Sequence, residues 1–151
     1  MSDAEDLAVT LDDILAALRA REGLLGTLGI ELFNEGGLVH AAMTVGPLHT
    51  GAPDIAHGGS VMSLLDSALG IHALGLALER GCSTSTVELK TNFLRPVRVG
   101  QRLVVRPEVQ SRGTRLLVLS GAAVDAHTGD RMAFAVGTFN VFPAPRMARR
   151  S

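Results

Sequence analysis

The chain has 151 residues, 46% of them hydrophobic, and a formal net charge of −1. This length is typical of one domain with its own core, and the near-neutral charge argues against nucleic acid or an anionic membrane as a partner. The sequence has no Trp or Tyr, and its single cysteine, Cys82, excludes an internal disulfide, so we expect a protein of the reducing cytoplasm.

The first predicted element is a short amphipathic helix within an N-terminal segment, residues 1–28. Residues 10–20 have helical apolar spacing, Thr10 is a suitable N-cap, and two acidic residues follow it in the first turn. Residues 1–9 are polar and lack the basic and apolar regions of a signal peptide. Two strands near residues 29–34 and 38–45 should then form a hairpin around the turn "NEGG".

A long, nearly uncharged helix is predicted over residues 57–78. From Ser60 to Leu78 the only ionisable residues are Asp66 and His72. A helix that is apolar all round must be covered all round. A curved sheet can cover one side, and we expect the same helix of a second copy to cover the other, in an obligate dimer. We expect no apolar run of the roughly 18 residues that span a bilayer.

Four β-rich runs follow this helix, at residues 84–94, 101–110, 115–125 and 131–141. The connections "RPVRVG", "SRGT" and "HTGD" are short and have turn chemistry, so strands three to six should pair in chain order as an antiparallel meander. Residues 143–151 would be a flexible tail. The pattern predicts an α+β domain over residues 29–142, in which an antiparallel sheet of about six strands wraps around one long central helix.

The run "HGGSVMSLLDSALG", followed by a strand that ends in "NFLRPVRVG", resembles the hotdog-fold thioesterases of the phenylacetate-pathway (PaaI) type. The match covers roughly residues 30–142, and its specific part is an Asp nine positions after the His of His-Gly-Gly. The resemblance implies a hotdog fold, a homodimer or dimer of dimers, and hydrolysis of acyl-coenzyme A thioesters. Coenzyme A would be part of the substrate, with no separate cofactor and no metal.

The same resemblance implies roles for individual residues. The backbone N–H of Gly58 would bind the thioester carbonyl, Asp66 would act as nucleophile or general base, and the hydroxyl of Thr86 would assist. Many members carry Asn or Gln six residues before the HGG histidine, where this chain has Gly51. That departure changes the number of groups available to polarise the carbonyl.

Residue chemistry points to the same positions. Gly58 and Gly59 stand at the predicted helix N-terminus, where unpaired N–H groups and the positive end of the helix dipole stabilise an oxyanion. Asp66 has no cation three or four residues away, so no local salt bridge accounts for it, and burying an unpaired carboxylate is costly. The structural alternatives are glycines that only turn the chain and an Asp that binds a buried backbone group.

Four other positions are weaker candidates. His57 should fix the turn by hydrogen bonding to backbone. Arg95 and Arg98 have the fork geometry that suits the phosphates of coenzyme A, although a solvated face is the alternative. The depth of the acyl pocket should depend on how Met62, Leu65 and Leu69 pack, and on the partner subunit.

Strand alternation complicates the role of Thr86. Period two places it on the face opposite Leu89 and Thr91. Either a bulge near Ser85 turns Thr86 toward the helix, or the substrate groove lies on its face. An ordinary strand threonine is the third possibility.

One helix cannot present both reacting groups to the same thioester. Gly58 and Asp66 are eight residues apart, which is about 12 Å along a helix, whereas both must lie within about 3–3.5 Å of the reacting atoms. Antiparallel helices of two subunits can bring Gly58 of one chain to Asp66 of the other. We therefore predict acyl-CoA hydrolysis at sites shared across a dimer; the alternatives are a non-catalytic acyl-CoA-binding module and an enoyl-thioester hydratase or dehydratase.

Overall fold

The computed structural model describes residues 9–20 and 22–144. The predicted polar lead-in up to residue 8, and the predicted tail from residue 145 onward, lie outside the described residues. The helices are α1 (Leu11–Ala20), α2 (Leu24–Leu28) and α3 (Gly58–Leu78). The strands are β1 (Glu31–Glu35), β2 (Leu38–Thr44), β3 (Thr50–Ala52), β4 (Ile55–Ala56), β5 (Cys82–Phe93), β6 (Arg102–Val105), β7 (Glu108–Arg112), β8 (Leu116–Asp125) and β9 (Arg131–Pro143).

The N-terminal segment contains the predicted helix α1 and a second helix, α2, that was not predicted. Thr10 caps α1 as expected, because its hydroxyl accepts the N–H of Asp13 at 3.2 Å while the Asp13 carboxylate accepts the N–H of Thr10 at 2.8 Å. α2 is a single short turn of helix that ends at Gly29, whose φ of 64° is the left-handed conformation that glycine adopts without strain. Five residues with a glycine among them leave little periodic signal in the sequence.

The main sheet is antiparallel, with strand order β1-β2-β6-β8-β9-β5, and β7 pairs separately with β8. The predicted meander is wrong for its first strand, because β5 pairs with β9 and β6 pairs with β2. The connection after β5 is a crossover rather than a hairpin turn. It passes the start of α3, where Val97 accepts the N–H of Ala56 and Val99 donates its N–H to Asp54.

The single strand predicted over residues 101–110 is divided into β6 and β7. The break falls at Arg106 and Pro107. Proline has no N–H to continue a strand ladder, so the pairing with β8 is interrupted there and resumes in β7 in the same register, from Val105 with Ala123 to Glu108 with Ser120. Two short strands, β3 and β4, form a separate ribbon just before α3.

α3 is the centre of the hydrophobic core, as predicted. It packs against β2, β5, β8 and β9 of the curved sheet, and Leu64, Leu65 and Leu69 are fully buried. The sequence analysis expected a second copy of the chain to cover the other side of α3. Part of that side is covered by α1 of the same chain. Leu11 of α1 lies so close to Gly75 that an added Cβ would be 3.1 Å from Leu11 Cδ2.

α3 is longer as an apolar run than the sequence analysis expected of any part of this chain. With 21 residues it is long and apolar enough to cross a membrane by length and composition, although no such run was expected. In the fold it is the core helix, and the sheet wraps around it. Only 44% of its apolar window is buried inside the domain, so packing within the domain accounts for part of its apolar surface.

His72 is the second ionisable residue of α3, and it is buried against the sheet. Its Nδ1 accepts the N–H of Val39 in β2 at 3.3 Å. Burial lowers the pKa of His72 below its usual 6.5, and the nearby charge of Arg112 lowers it further, whereas Glu79 raises it. The folded state therefore holds the neutral imidazole.

We expect His72 to make the fold less stable as the pH falls below about 6.5. In that range the unfolded chain binds a proton that folded His72 does not, so the free energy of unfolding falls toward the lower folded-state pKa. The Tm difference between about pH 7.5 and pH 5.5 should shrink in His72→Gln, which keeps a hydrogen-bond acceptor. The exposed His127→Gln is the control, and an unaltered pH dependence in His72→Gln would contradict the assignment.

Candidate active site

The first residue of α3, Gly58, has an available backbone donor. His57 is the N-cap residue, and its Nδ1 accepts the N–H of Gly59 at 2.9 Å. The N–H of Ser60 is bound to the carbonyl of His57 at 3.0 Å. Among the described residues, the N–H of Gly58 has no hydrogen-bond partner, so Gly58 rather than Gly59 can bind an oxygen of a ligand.

A buried histidine holds the loop that leads to this helix. His49 Nε2 donates to the carbonyl of Leu28 at 2.7 Å, and its Nδ1 accepts the N–H of Gly46 at 2.9 Å. The carbonyl of His49 then accepts both the N–H of His57 at 2.7 Å and the hydroxyl of Ser60 at 3.1 Å. The first turn of α3 is thereby tied to the end of α2.

Gly51, in β3, packs directly against the ring of His57. A Cβ at position 51 would lie 2.8 Å from His57 Cδ2, closer than real Cβ contacts come, and 3.3 Å from His57 Cα, which is tight. In this chain the His57 ring therefore occupies the space that a side chain at position 51 would need.

Asp66 and Thr86 are brought together by the fold. The Thr86 hydroxyl donates to Asp66 Oδ1 at 2.9 Å, across 20 residues of sequence. Among the described residues Oδ2 of the same carboxylate has no hydrogen-bond partner. The hydroxyls of Ser63 and Ser67 do not compete, because each donates to the carbonyl four residues earlier. One oxygen of Asp66 is thus oriented by Thr86 and the other remains available.

A β-bulge explains how Thr86 reaches the helix. Thr86 pairs with Phe139 of β9 and Glu88 pairs with Thr138, so Val87 is an extra residue in β5. One extra residue reverses the alternation, and Thr86 therefore shares the helix-facing side with the core residue Phe139. Of the three sequence alternatives for Thr86, the structure has the bulge, and it lies at Val87 rather than near Ser85.

Two separate cavities flank α3. The Gly58 groove, about 390 Å³, is lined by residues of the helix start and the crossover: Ile55, Ala56, Gly58, Val61, Phe93, Leu94, Arg95, Pro96 and Val97. The Asp66 pocket, about 320 Å³, is lined by Ile14, Leu18, Leu25, Asp66, Ser67, Gly70, Ile71, Leu74, Thr84, Ser85, Thr86 and Phe139. Within one chain, Gly58 and Asp66 therefore open into different cavities.

The weaker candidates from the sequence analysis differ in whether they line either of the two cavities. Arg95 lines the Gly58 groove, whereas Arg98 is exposed outside it, with its N–H bound to the side chain of Gln101. Met62 is half-buried and lines neither cavity. Leu65 and Leu69 are fully buried and line neither cavity.

One apolar wall of the Asp66 pocket comes from α1 and α2, through Ile14, Leu18 and Leu25. The sequence interpretation missed this wall. The leucines of α1 follow a helical stripe, which predicts burial without naming a partner. α2 was not predicted at all.

The remaining observations on the described residues concern a cavity away from α3 and the grouping of possible metal ligands. A larger cavity, about 640 Å³, is lined by alternate residues of β2 and β6, such as His40, Ala42 and Val104, and contains neither Gly58 nor Asp66. Neighbouring residues such as Val39, Ala41 and Val105 belong to the core, so this cavity lies on the opposite side of the sheet from the helix. No three His, Cys, Asp or Glu side chains of the described part of the chain are grouped to hold a metal ion.

Comparison with known proteins places this geometry in a family. Residues 54–131 match the family described as the Thioesterase superfamily. A protein of Saccharolobus solfataricus that carries an esterase name is 40% identical over 88 residues, which are 58% of this chain and 56% of that protein. The chain therefore spans only about half the length of this curated relative.

Solved structures agree on the fold. The Escherichia coli PaaI protein from the phenylacetic acid degradation operon is 21% identical with a TM-score of 0.76, over 87% of this chain and 93% of that chain. A Streptococcus mutans protein bound to acetyl CoA is 19% identical with a TM-score of 0.67, over 78% of this chain and 91% of that chain. The predicted hotdog fold is confirmed.

Gly51 provides a test of the site's construction. Gly51→Ala should displace His57 and with it the first turn of α3, because the new Cβ would meet His57 Cδ2 at 2.8 Å. We expect a lower Tm and a clear loss of ligand binding at the helix start, measured by calorimetry with coenzyme A. Gly46→Ala is the matched control, since the nearest atom there is 3.8 Å away. Equal behaviour of the two variants would contradict the steric argument.

Proposed function

The chain belongs to the thioesterase superfamily, and on that premise we propose that it hydrolyses acyl-CoA thioesters to the free acid and coenzyme A. The observation that carries the proposal is the hydrogen bond from Thr86 to Asp66, which orients a carboxylate on an apolar helix and leaves its second oxygen available. The acetyl CoA bound to the Streptococcus mutans structure supports a coenzyme A thioester as the ligand.

Asp66 supplies the attacking group in either of two ways. As a general base, Oδ2 takes a proton from a water molecule while the water oxygen attacks the thioester carbon. As a nucleophile, Oδ2 attacks the carbon itself, and water then cleaves the resulting anhydride. In the first route the proton taken by Asp66 passes to the departing sulfur. In the second the sulfur leaves as thiolate and takes the proton released when water cleaves the anhydride. Both routes give the thiol of coenzyme A, and Thr86 keeps the carboxylate in position.

Gly58 supplies the stabilising group. Negative charge develops on the carbonyl oxygen as the carbon is attacked, and the unpaired N–H of Gly58 at the positive end of α3 would donate a hydrogen bond to that oxygen. An added Cβ at Gly58 would be 3.0 Å from Phe93 Cζ, so glycine keeps the backbone accessible between the helix and that ring. Arg95 lines the same groove and is the better candidate of the two arginines for a phosphate of coenzyme A.

We propose further that each site is shared between two chains. Gly58 and Asp66 open into separate cavities and stand about 12 Å apart along one helix, too far to act on one carbonyl. A partner helix running antiparallel brings the two groups together, and it would cover the half-buried face around Asp66. A dimer of such dimers, as the PaaI resemblance implies, is the larger assembly we propose.

The edge of the sheet also favours a dimer. β5 is 12 residues long and pairs on one side only, with β9. It exposes Val87 by 62% and Phe93 by 53%. A long, apolar, unpaired edge invites pairing with another chain. The strand that carries Thr86 is therefore the part of the sheet we expect at the dimer interface.

Removal of the Asp66 charge should abolish hydrolysis while leaving ligand binding in place. We expect Asp66→Asn to lower kcat by about 100-fold or more, as loss of an acid–base or nucleophilic group does. Thr86→Val should lower it by about tenfold, the value of one hydrogen bond, and Thr86→Ser should retain most activity. Release of the thiol from a series of acyl-CoAs measures the rate, and calorimetry measures binding.

Two results would contradict this assignment. Near wild-type turnover by Asp66→Asn would remove Asp66 from the chemistry. Acyl-CoA binding by the wild-type protein without any thiol release would favour the non-catalytic binding module.

Mixed dimers test the shared site. Chains with Asp66→Asn and chains with Gly58→Val should each be inactive as homodimers, because every site lacks one group. A heterodimer of the two restores one intact site of two, so we expect about half of the wild-type turnover per dimer. Differently tagged chains purified together provide the heterodimer. Inactive heterodimers, or full activity in a stable monomer, would show that sites are not shared.

A further inference from the structure

The Asp66 pocket extends from the carboxylate toward the N-terminal helices. Asp66 and Thr86 form one part of its lining, and the remainder is mostly aliphatic or aromatic. The apolar part is contributed by three helices and one strand, through Ile14, Leu18, Leu25, Ile71, Leu74 and Phe139. A chain attached to a carbonyl at Asp66 would lie along this apolar part.

The charge of the pocket restricts what can occupy it. Asp66 is the only ionisable residue among those that line it. A carboxylate on the occupant would find no cation there and would be repelled by Asp66, whereas an apolar group loses nothing by leaving water. Among the lining hydroxyls, those of Ser67 and Thr86 are committed as donors, to Ser63 and Asp66, so only the neutral hydroxyls of Thr84 and Ser85 could bind a polar group of the occupant.

The size of the pocket is set at its floor and its wall. Gly70 lies one helical turn after Asp66, and a Cβ there would be 3.4 Å from Phe139 Cε1, so any larger side chain would fill the space. A volume of about 320 Å³ is at the lower end of the range for ligand pockets, roughly 300–1,000 Å³. The pocket therefore suits a small apolar group.

The wall made by α1 and α2 is fixed to the rest of the fold. Arg19 at the end of α1 donates to the carbonyl of Leu32 at 2.6 Å, and the carbonyl of Leu28 at the end of α2 accepts from His49 at 2.7 Å. His49 also holds the first turn of α3. Leu25 thus stands at a defined position relative to Asp66.

We propose that this pocket receives the acyl group, that the substrates are thioesters of small, uncharged, apolar acids, and that Leu25 of α2 sets the length of chain accepted. The proposal rests on the proposed hydrolysis of acyl-CoA. It adds to it a substrate class and a specificity-determining residue in the N-terminal segment, outside the residues matched to the superfamily.

Leu25 and its neighbour Leu24 form a matched pair for the test. Leu24 is 60% exposed and does not line the pocket. Leu25→Trp should lower kcat/KM for octanoyl-CoA relative to acetyl-CoA by about tenfold or more, since a few methylenes in an apolar pocket are worth that much. Leu24→Trp should leave the ratio unchanged. Leu25→Ala, which enlarges the pocket without overpacking, should raise it.

A comparison of two acyl groups of equal length tests the charge argument. Succinyl-CoA and butyryl-CoA have the same number of acyl carbons, and only the former ends in a carboxylate. We expect the wild-type protein to have a kcat/KM for succinyl-CoA about 100-fold lower or more, because the carboxylate would be buried unpaired beside Asp66.

The outcomes separate this proposal from the proposed function. Equal effects of the Leu25 variants on short and long acyl-CoAs, or comparable rates with succinyl-CoA and butyryl-CoA, would overturn the acyl pocket while hydrolysis itself stands. Failure of the wild-type protein to release thiol from any acyl-CoA would overturn the proposed function first. An expanded chain-length range in Leu25→Ala supports the pocket even where Leu25→Trp does not fold.

Discussion

The burial of α3 is the constraint on which the rest of this structure depends. A helix with almost no polar face needs contacts on every side, and the sheet curves around it while α1 packs over its C-terminal half. Within that apolar setting a single carboxylate, Asp66, keeps one oxygen bound to Thr86 and the other available. The same packing that stabilises the domain therefore isolates the group that we propose performs the chemistry.

Much of the fold follows from local pattern, and what does not follow is a matter of long-range pairing. Helix α3 and the strands β1, β2, β8 and β9 appear close to where apolar spacing and turn residues place them. Chain order does not determine which strands pair, so the local sequence pattern could not predict that β5 lies beside β9. The break at Pro107 was visible in the sequence as a residue that cannot continue a ladder.

The site shows the same division between composition and geometry. Asp66 is conspicuous in the sequence because it is alone, and Gly58 because it begins the helix. Thr86 needed the bulge at Val87, which depends on how β5 fits β9 and leaves no composition signal. The pocket wall at Leu25 depends on a helix too short to show a period, and the steric requirement for Gly51 depends on where the His57 ring lies.

The bulge in β5 makes the site depend on the number of residues in that strand as well as on the identity of its side chains. Val87 is exposed and makes no pairing of its own, yet its presence decides which face of the sheet every residue from Cys82 to Thr86 occupies. A substitution of Val87 leaves the facing of these residues intact, whereas loss of one residue would turn Thr86 away from α3 and bring a neighbour inward. The proposed function therefore constrains the number of residues between α3 and the turn at Arg95 and Pro96, independent of which residues fill that length.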